Sequence, residues 1–459
     1  MNNKNEILND VLNSREMRAS LRSNFVENNL CTLSVSLNIP GYPKSNPEIN
    51  SFFKEVLKEL NPFLVANRIT VKHEDEVVIT DNAGDFFIVP LICDPHTLTA
   101  IKELTETFEF NHSVGRLIDI DIFNNQGLPV SSGKKKPCYF CGEFSAVSCM
   151  RNKRHSYEEI RTILFNEVNK FLKNKKEKSV INKLTSFATK AILYEISLSP
   201  KPGLVSFSDT GSHTDMNFFT FLNSSASLTP FFTEFCNLGY HFSGDYKNAL
   251  PQIREIGLRA ETAMFSATKG VNTHKGIVFL FGLSLFSIAK LLSEKDSFND
   301  NEFRKIIKKI CKGIVANELV NDGKQATTHG EKVYQKYGLK GAGVRQEVED
   351  GFPSVFHQSL SFFNKHLNSI SINNEYSVQQ ILQKGMLYIM TVNNDSNVLY
   401  RSNLETLKEF QILAQKAIDN NDAYTELCKF CLTNNISPGG SADLLSVALL
   451  LHFVKTEQI

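Results

Sequence analysis

The chain has 459 residues, 42% of them hydrophobic, which is long for one core and enough to bury two. Its 50 basic and 49 acidic residues leave a formal charge of +1, which excludes a protein that coats nucleic acid through bulk charge and makes any anion site local. Nine cysteines, an odd number spread over the chain, argue for buried thiols or a metal site and against a disulfide framework. The first ten residues are polar and lack the apolar run of a secretory signal, so a cytoplasmic protein is expected, away from nucleic acid and membrane.

Residues 6–22 set Ile7, Leu8, Val11, Leu12, Met17 and Leu21 among Arg15, Arg18 and Arg22, which predicts an amphipathic helix with a solvated basic stripe. Residues 32–39 alternate polar and apolar as a half-covered strand does, and Pro40-Gly41 ends it in a turn. A helix over 51–60, strands over 76–80 and 86–92 and a helix over 98–108 follow. Intermingled strands and helices predict a mixed α+β domain.

Residues 115–123 read as one strand whose alternation projects Asp119 and Asp121 together. Two carboxylates on one face suit Mg²⁺, which takes one or two carboxylates completed by phosphates and water. The other reading is two acids on the exposed face of an edge strand. Cys138, Cys141, Cys149 and His155 form the ligand set of a tetrahedral Zn²⁺ site. Alternatively, Arg151, Arg154 and His155 form a phosphate-binding cluster with the thiols packed beside it. A helical pattern over 157–172 runs into the charge-dense stretch 170–178, where the boundary is placed, giving domains 1–176 and 177–459.

Beyond residue 180 helix-period segments dominate, at 184–197, 218–228, 251–265, 276–289, 303–319, 378–391, 404–419, 423–432 and 442–454, so this domain is expected to be all-α. The uncharged run 276–289 carries apolar side chains on every face, which predicts a fully buried helix, short of the roughly 20 residues of a membrane span. Asn272, Thr273, His274 and Lys275 open it and bring hydrogen-bonding groups and free N–H groups to the edge of the core, an arrangement that suits an anion. The other reading has Thr273 capping the helix and His274 and Lys275 solvated. Pro200 and Pro202 hold Lys201 on a stiff, non-helical loop. Ser212 and Asp215 read as a variant capping box, or else His213 and Asp215 face a metal or a phosphate chain. Pro438, Gly439, Gly440 and Ser441 open the last apolar helix, where the backbone can approach phosphate, with a plain structural turn as the alternative.

The segment Thr268-Lys269-Gly270-Val271-Asn272-Thr273-His274-Lys275-Gly276 resembles the signature of the triphosphoribosyl-dephospho-CoA synthases. Residues 199–205 with 211–216, 341–353 and 437–444 match that family in the same order. Residues 38–44, 115–121 and 138–155 in turn resemble the apo-citrate lyase phosphoribosyl-dephospho-CoA transferases, over about residues 10–175. The resemblance implies a bifunctional enzyme that builds the citrate lyase prosthetic group from ATP and dephospho-CoA and delivers it to a serine of the acyl carrier subunit. It implies Mg²⁺ at Asp119 and Asp121, with Lys44, Arg116, Arg151 and Arg154 on phosphates. In the second half it offers Lys201, His213, Asn272, Thr273, His274, Lys275, Arg345, Gly439, Gly440 and Ser441 for the triphosphate. Glu195, Asp215, Glu261, Glu347 and Asp443 are its candidates for base or metal, Asp215 and Asp443 for Mg²⁺. Two family glycines are replaced, by Lys269 and Gln346, and a positive φ at either would cost about 1 kcal/mol. Those replacements motivate a second expectation, that one half is only a docking module for the carrier protein. A third makes the chain a zinc-dependent binding protein.

Overall fold

The computed structural model describes residues 2–134, 138, 140–144, 146–152, 154–295, 297–320, 326, 328–367 and 375–457. The chain divides into two units, Met1–Lys176 and Glu177–Ile459, each with its own apolar core.

The first unit is α+β. Its elements in order are α1 (Asn2–Glu27), β1 (Cys31–Leu37), α2 (Pro47–Ala66), β2 (Thr70–Val71), β3 (Val77–Asp81), β4 (Gly84–Ile92), α3 (Leu98–Asn111), β5 (Ile118–Phe123) and α4 (Ala146–Arg151). The sheet is antiparallel in the order β2-β4-β1-β5, with β3 also paired to β4. Alternation sends Leu33, Val35, Phe87, Val89, Ile120 and Ile122 to one face, where they form the core with α2. Asn46 caps α2 by accepting the Ile49 N–H at 2.7 Å, Pro47 begins it, and Ile49, Phe52, Phe53, Val56, Leu60 and Leu64 supply its buried stripe.

α1 covers the opposite face, with Arg18 over the Phe86 ring at 4.7 Å and Arg22 over Phe123 at 3.5 Å. This overturns the expected solvated stripe. Arg18 is buried, bonded to both Asp81 oxygens at 2.6 and 3.0 Å and to the Gly84 carbonyl at 2.7 Å, while Arg15 stays exposed along with Leu8, Leu12 and Met17. A guanidinium with its donors paired and its plane on an aromatic ring is stable inside, and its stem packs as an apolar group.

The expected strand 115–123 is also shorter. Gly115–Leu117 form a 3₁₀ turn, so Arg116 stands at the entrance of β5 and not on one of its faces. β5 ends the path of described strands, and its outward groups are occupied. Ile120 N–H donates to Glu109 Oε1 at 2.7 Å, Lys102 Nζ donates to the Ile120 carbonyl at 2.6 Å, and Val130 N–H donates to the Ile122 carbonyl at 2.8 Å.

The charged stretch in which the boundary is placed is the middle of one helix, α5 (Tyr157–Ser197). Residues 170–178 contain no glycine or proline and are mostly good helix formers, so charge alone does not interrupt it. Leu164, Val168 and Phe171 belong to the first core, Val180, Ile181 and Leu184 to the second.

The second unit is helical throughout its described residues. α6 (Phe218–His241), α7 (Ala249–Ala267) and α8 (Lys275–Glu294) pack together. Asn217, not Ser212, caps α6 in a reciprocal box with Thr220; the Ser212 hydroxyl donates to the Ile436 carbonyl at 2.8 Å. α8 is long and apolar enough to cross a bilayer, but 78% of its apolar window is buried inside the unit, as a core helix requires. The single helix expected over 303–319 is broken into Asp300–Ile310 and Ile314–Leu319 by Gly313, whose φ of 78° is left-handed. Gly439–Thr456 is the last helix.

Candidate active sites

In the first unit the β1–β5 ladder sets the geometry. Leu37 pairs with Ile118, and Asn38 N–H donates to the Leu117 carbonyl at 2.7 Å, so the loop after β1 lies beside the Arg116 turn. Lys44 turns back on this loop and donates to the Ile39 carbonyl at 2.6 Å. Burial lowers its pKa, and so do Arg15 and Arg161 nearby. Arg161 holds the loop by the Pro40 and Pro43 carbonyls at 2.7 and 3.0 Å. Asp119 stands opposite Ser36 and Asp121 opposite Ser34, on the face that α1 covers. Asp121 Oδ1 is 3.8 Å from the Lys102 ammonium and within electrostatic reach of Arg22. Arg116 is depressed by burial, opposed by Glu109, Cys138 and Asp119. The fold thus brings Lys44, Arg116, Asp119 and Asp121 to one region of the sheet, and adds Arg15 and Arg161.

Next to Arg116 the ligand atoms of Cys138, Cys141, Cys149 and His155 lie within 4.8 Å of one another, a group able to hold a metal ion. The Cys141 thiol is pulled down by the Phe144 backbone N–H and by His155, while burial pushes Cys149 up. Arg154 lies over the Phe144 ring at 3.8 Å; Arg151 and Arg154 are both exposed.

In the second unit the Pro200–Pro202 loop carries Lys201 inward. Its ammonium donates to Glu195 Oε1 at 2.8 Å, with the two side chains 3% and 6% exposed. The start of α8 faces the same interior. The Thr273 hydroxyl donates to Ser224 Oγ at 2.8 Å, and Ser224 Oγ lies 2.7 Å from His274 Nδ1. The Ser224 hydroxyl thus engages Nδ1 and leaves Nε2 as the other polar atom of the ring. Nε2 is buried and has no hydrogen-bond partner among the described residues. Burial, with the Lys201 charge, lowers the His274 pKa to about 3, so the ring is neutral. His274 is not solvated and Thr273 does not cap α8; Asn272 Oδ1 accepts the Lys275 N–H at 3.3 Å. Lys275 turns outward to Glu261 at 3.0 Å.

The last helix closes the site. Asp395, buried before the helix Ser396–Arg401, accepts the Ser441 N–H at 2.7 Å, the Ser441 hydroxyl at 2.9 Å and the Asn397 N–H at 3.0 Å. A Cβ at Gly440 would stand 3.2 Å from the Asp395 carboxylate, and one at Gly439 2.9 Å from Asn397. Asp443 follows and reaches α8, where a Cβ on Gly276 would lie only 1.9 Å from its Oδ2. Burial raises the Asp443 pKa well above the ordinary range, and Glu195 and Asp395 add to it. Glu195, Lys201, His274, Asp395, Ser441 and Asp443 therefore converge at the start of α8.

The remaining candidates sit around this centre. His213 Nε2 is 2.8 Å from Ser437 Oγ, its pKa lowered by burial and then by Arg401; Asp215 lies 3.8 Å from its Nδ1 and is 61% exposed. Arg345 bonds Glu318 at 2.8 Å. Glu347 accepts the Ser354 hydroxyl at 2.5 Å and has its pKa raised by burial. The loop before them meets the site at Gly343, where a Cβ would stand 2.5 Å from Ser396 Oγ. Sequence reasoning missed Asp395, Ser224 and Asn393, whose amide donates to the Ser441 hydroxyl oxygen at 3.0 Å. Its one available signal at 395 was Asp-Ser-Asn opening a helix, an N-cap pattern that here also aims a carboxylate inward.

Buried carboxylates, a caged ammonium and a neutral imidazole at a helix start, and in the other unit cations gathered around two carboxylates on a sheet, define a transferase equipped twice for polyanionic substrates. Two family models divide the chain: apo-citrate lyase phosphoribosyl-dephospho-CoA transferase over residues 6–173 and ATP:dephospho-CoA triphosphoribosyl transferase over 181–458. The chain is similar to Protein CitXG of Leuconostoc mesenteroides subsp. cremoris, 31% identical over 96% of both chains. Protein CitXG of Haemophilus influenzae is 32% identical over 96% of this chain and 94% of its own. A probable 2-(5''-triphosphoribosyl)-3'-dephosphocoenzyme-A synthase of Streptococcus equi subsp. zooepidemicus is 35% identical over 61% of this chain and 99% of its own. The chain belongs to the CitXG family, the fusion of these two transferases. It is a bifunctional transferase that makes the citrate lyase prosthetic group from ATP and dephospho-CoA and attaches it to apo-citrate lyase.

Proposed function

We propose that triphosphoribosyl transfer takes place where α8 begins, between Lys201, His274 and Asp443. A hydroxyl of dephospho-CoA attacks the anomeric carbon of ATP, the bond from that carbon to adenine breaks, and the hydroxyl proton and a proton for adenine are exchanged with nearby groups. Positive charge develops on the ribose in such a displacement, and a carboxylate held close stabilises it. Asp443 is that carboxylate. Asp395 is committed through both oxygens to Ser441 and Asn397, and Glu195 is paired through Oε1 with Lys201, which leaves Asp443 as the carboxylate set against the first turn of α8. His274 Nε2, buried without a hydrogen-bond partner among the described residues, is available to a substrate group, and the backbone N–H groups at the start of α8 attract phosphate.

Mg²⁺ fits this donor set as an ion held by Asp443 and by the triphosphate itself, and when bound it neutralises phosphate charge. Burial raises the Asp443 pKa, and a bound cation would oppose that shift by favouring the carboxylate. The observation that carries this reading is the contact of Asp443 with Gly276. In the first unit, Asp119 and Asp121 are proposed to hold the cation and Lys44 and Arg116 the phosphates, with Arg151 and Arg154 on the outer rim. The serine acceptor is on the acyl carrier subunit of citrate lyase. Both reactions belong in the cytoplasm, where ATP is at hand and nine unpaired thiols remain reduced.

The test uses the full chain with ATP, dephospho-CoA and Mg²⁺. Asp443→Asn should lose adenine release at least about 100-fold, yet still load apo carrier protein, read as a mass increase, when supplied with the finished precursor. Wild-type adenine release by that variant overturns the assignment.

A further inference from the structure

We propose that Cys138, Cys141, Cys149 and His155 bind one Zn²⁺ in a closed tetrahedral site that builds the phosphate-binding wall of the first unit. The four side chains are far apart in sequence spacing from a common finger, yet their ligand atoms all fall within 4.8 Å of one another. A Zn–S bond of about 2.3 Å implies sulfur–sulfur edges of about 3.8 Å in a tetrahedron. Cys141 Sγ and Cys149 Sγ stand 3.6 Å apart. That is close to the tetrahedral edge and well beyond the roughly 2.05 Å of a disulfide.

The local backbone is shaped for the same end. Gly142, directly after Cys141, has a φ of 69° and its N–H donates to the Cys138 carbonyl at 3.0 Å, a turn that brings both thiols to one side. The Arg154 N–H donates to the Cys149 carbonyl at 3.1 Å, which draws the second half of the ligand set around. Cys138 and Cys149 are 6% and 4% exposed. The His155 ring is flanked by Phe140 at 4.5 Å, and its Nε2 is buried with no hydrogen-bond partner among the described residues. A buried imidazole nitrogen without a partner is costly, and a metal supplies the missing bond. Three thiolates and one imidazole fill every position of tetrahedral Zn²⁺. With no open position the ion does not activate water, so it is structural.

Its position gives it a task. Arg116 lies within electrostatic reach of both Cys138 and Asp119, so an ion on Cys138 would fix its segment of chain on the Arg116 side of β5. This consequence rests on the proposed phosphate role of that region; the metal content does not.

The experiment is metal analysis of the full-length chain purified without added metal or chelator. About one zinc per chain is expected, released as an organomercurial titrates the cluster thiols. Co²⁺ exchanged into the site should show the visible bands of tetrahedral cobalt and thiolate charge transfer. Cys141→Ser and His155→Ala should each lower the zinc content and the loading of carrier protein from finished precursor, while adenine release continues at the wild-type rate. Zinc at background level in the wild type, or Co²⁺ bound without thiolate charge transfer, overturns the site. Zinc loss with loading intact leaves the metal standing and overturns its link to phosphate binding.

Discussion

The carboxylate of Asp443 rests against the Cα of Gly276, so close that a methyl group there would overlap Oδ2 at 1.9 Å. The last helix and α8 are thereby locked in register at the point where Lys201 and His274 also arrive. Gly276→Ala must displace either the carboxylate or the first turn of α8. A displacement of about 1 Å in a reacting group commonly costs about 100-fold in rate. Adenine release should fall by at least that factor in Gly276→Ala, with carrier loading from finished precursor unchanged.

His274 makes the helical unit sensitive to acid. Its folded value of about 3 is below the ordinary 6.5, so the folded unit binds this proton less readily than the unfolded chain does. The stability it contributes is complete above about pH 6.5 and is lost as the pH falls toward 3, with a slope approaching about 1.4 kcal/mol per pH unit. His452, lowered to about 4 by burial, acts in the same direction. Thermal melts of the full chain, followed by helix circular dichroism, should show a level Tm above neutrality and a steep decline below pH 6. His274→Asn should flatten part of that decline.

Lys269 has a φ of 56°, in the turn that ends α7, where Gly270 N–H closes on the Phe265 carbonyl at 2.8 Å. A lysine in the left-handed region costs about 1 kcal/mol relative to glycine. Lys269→Gly should therefore raise the Tm of the helical unit by a few degrees. Its side chain is exposed, so adenine release should stay within about twofold of the wild type. A lower Tm in the variant would show that the lysine compensates its own strain.

Arg18 ties α1 to the sheet through Asp81 and Gly84. Removing it strands a largely buried carboxylate, and Arg18→Ala should cost the first unit about 3 kcal/mol. Denaturant titration should show a lower midpoint for that unit, with adenine release by the helical unit unaffected. An unchanged midpoint would mean that solvent replaces the pair at no cost.

Features that depend on near neighbours in sequence were legible before the structure. The uncharged run that became α8, the alternation that put Asp119 and Asp121 on one face, and the glycine position now held by Lys269 all belong to this kind. Arg18 could not be read correctly, because its partner Asp81 is 63 residues away and periodicity alone sends a charged stripe to solvent. Asp395 escaped notice for a similar reason. Its meaning depends on Ser441, 46 residues later, and only the fold joins the two. The helix through residues 170–178 was hidden by charge density, which marks exposure and says little about whether a helix continues.

The side chains of Lys102 and Glu109 and the backbone N–H of Val130 occupy the outward N–H and carbonyl of Ile120 and the outward carbonyl of Ile122 on β5. An incoming extended peptide would have to displace those three bonds, which disfavours β-augmentation of the sheet there by a carrier protein or a second copy of the chain. With Asp119 and Asp121 as the proposed transfer site, recognition of the carrier at this part of the edge would rest on side chains and not on shared backbone pairing.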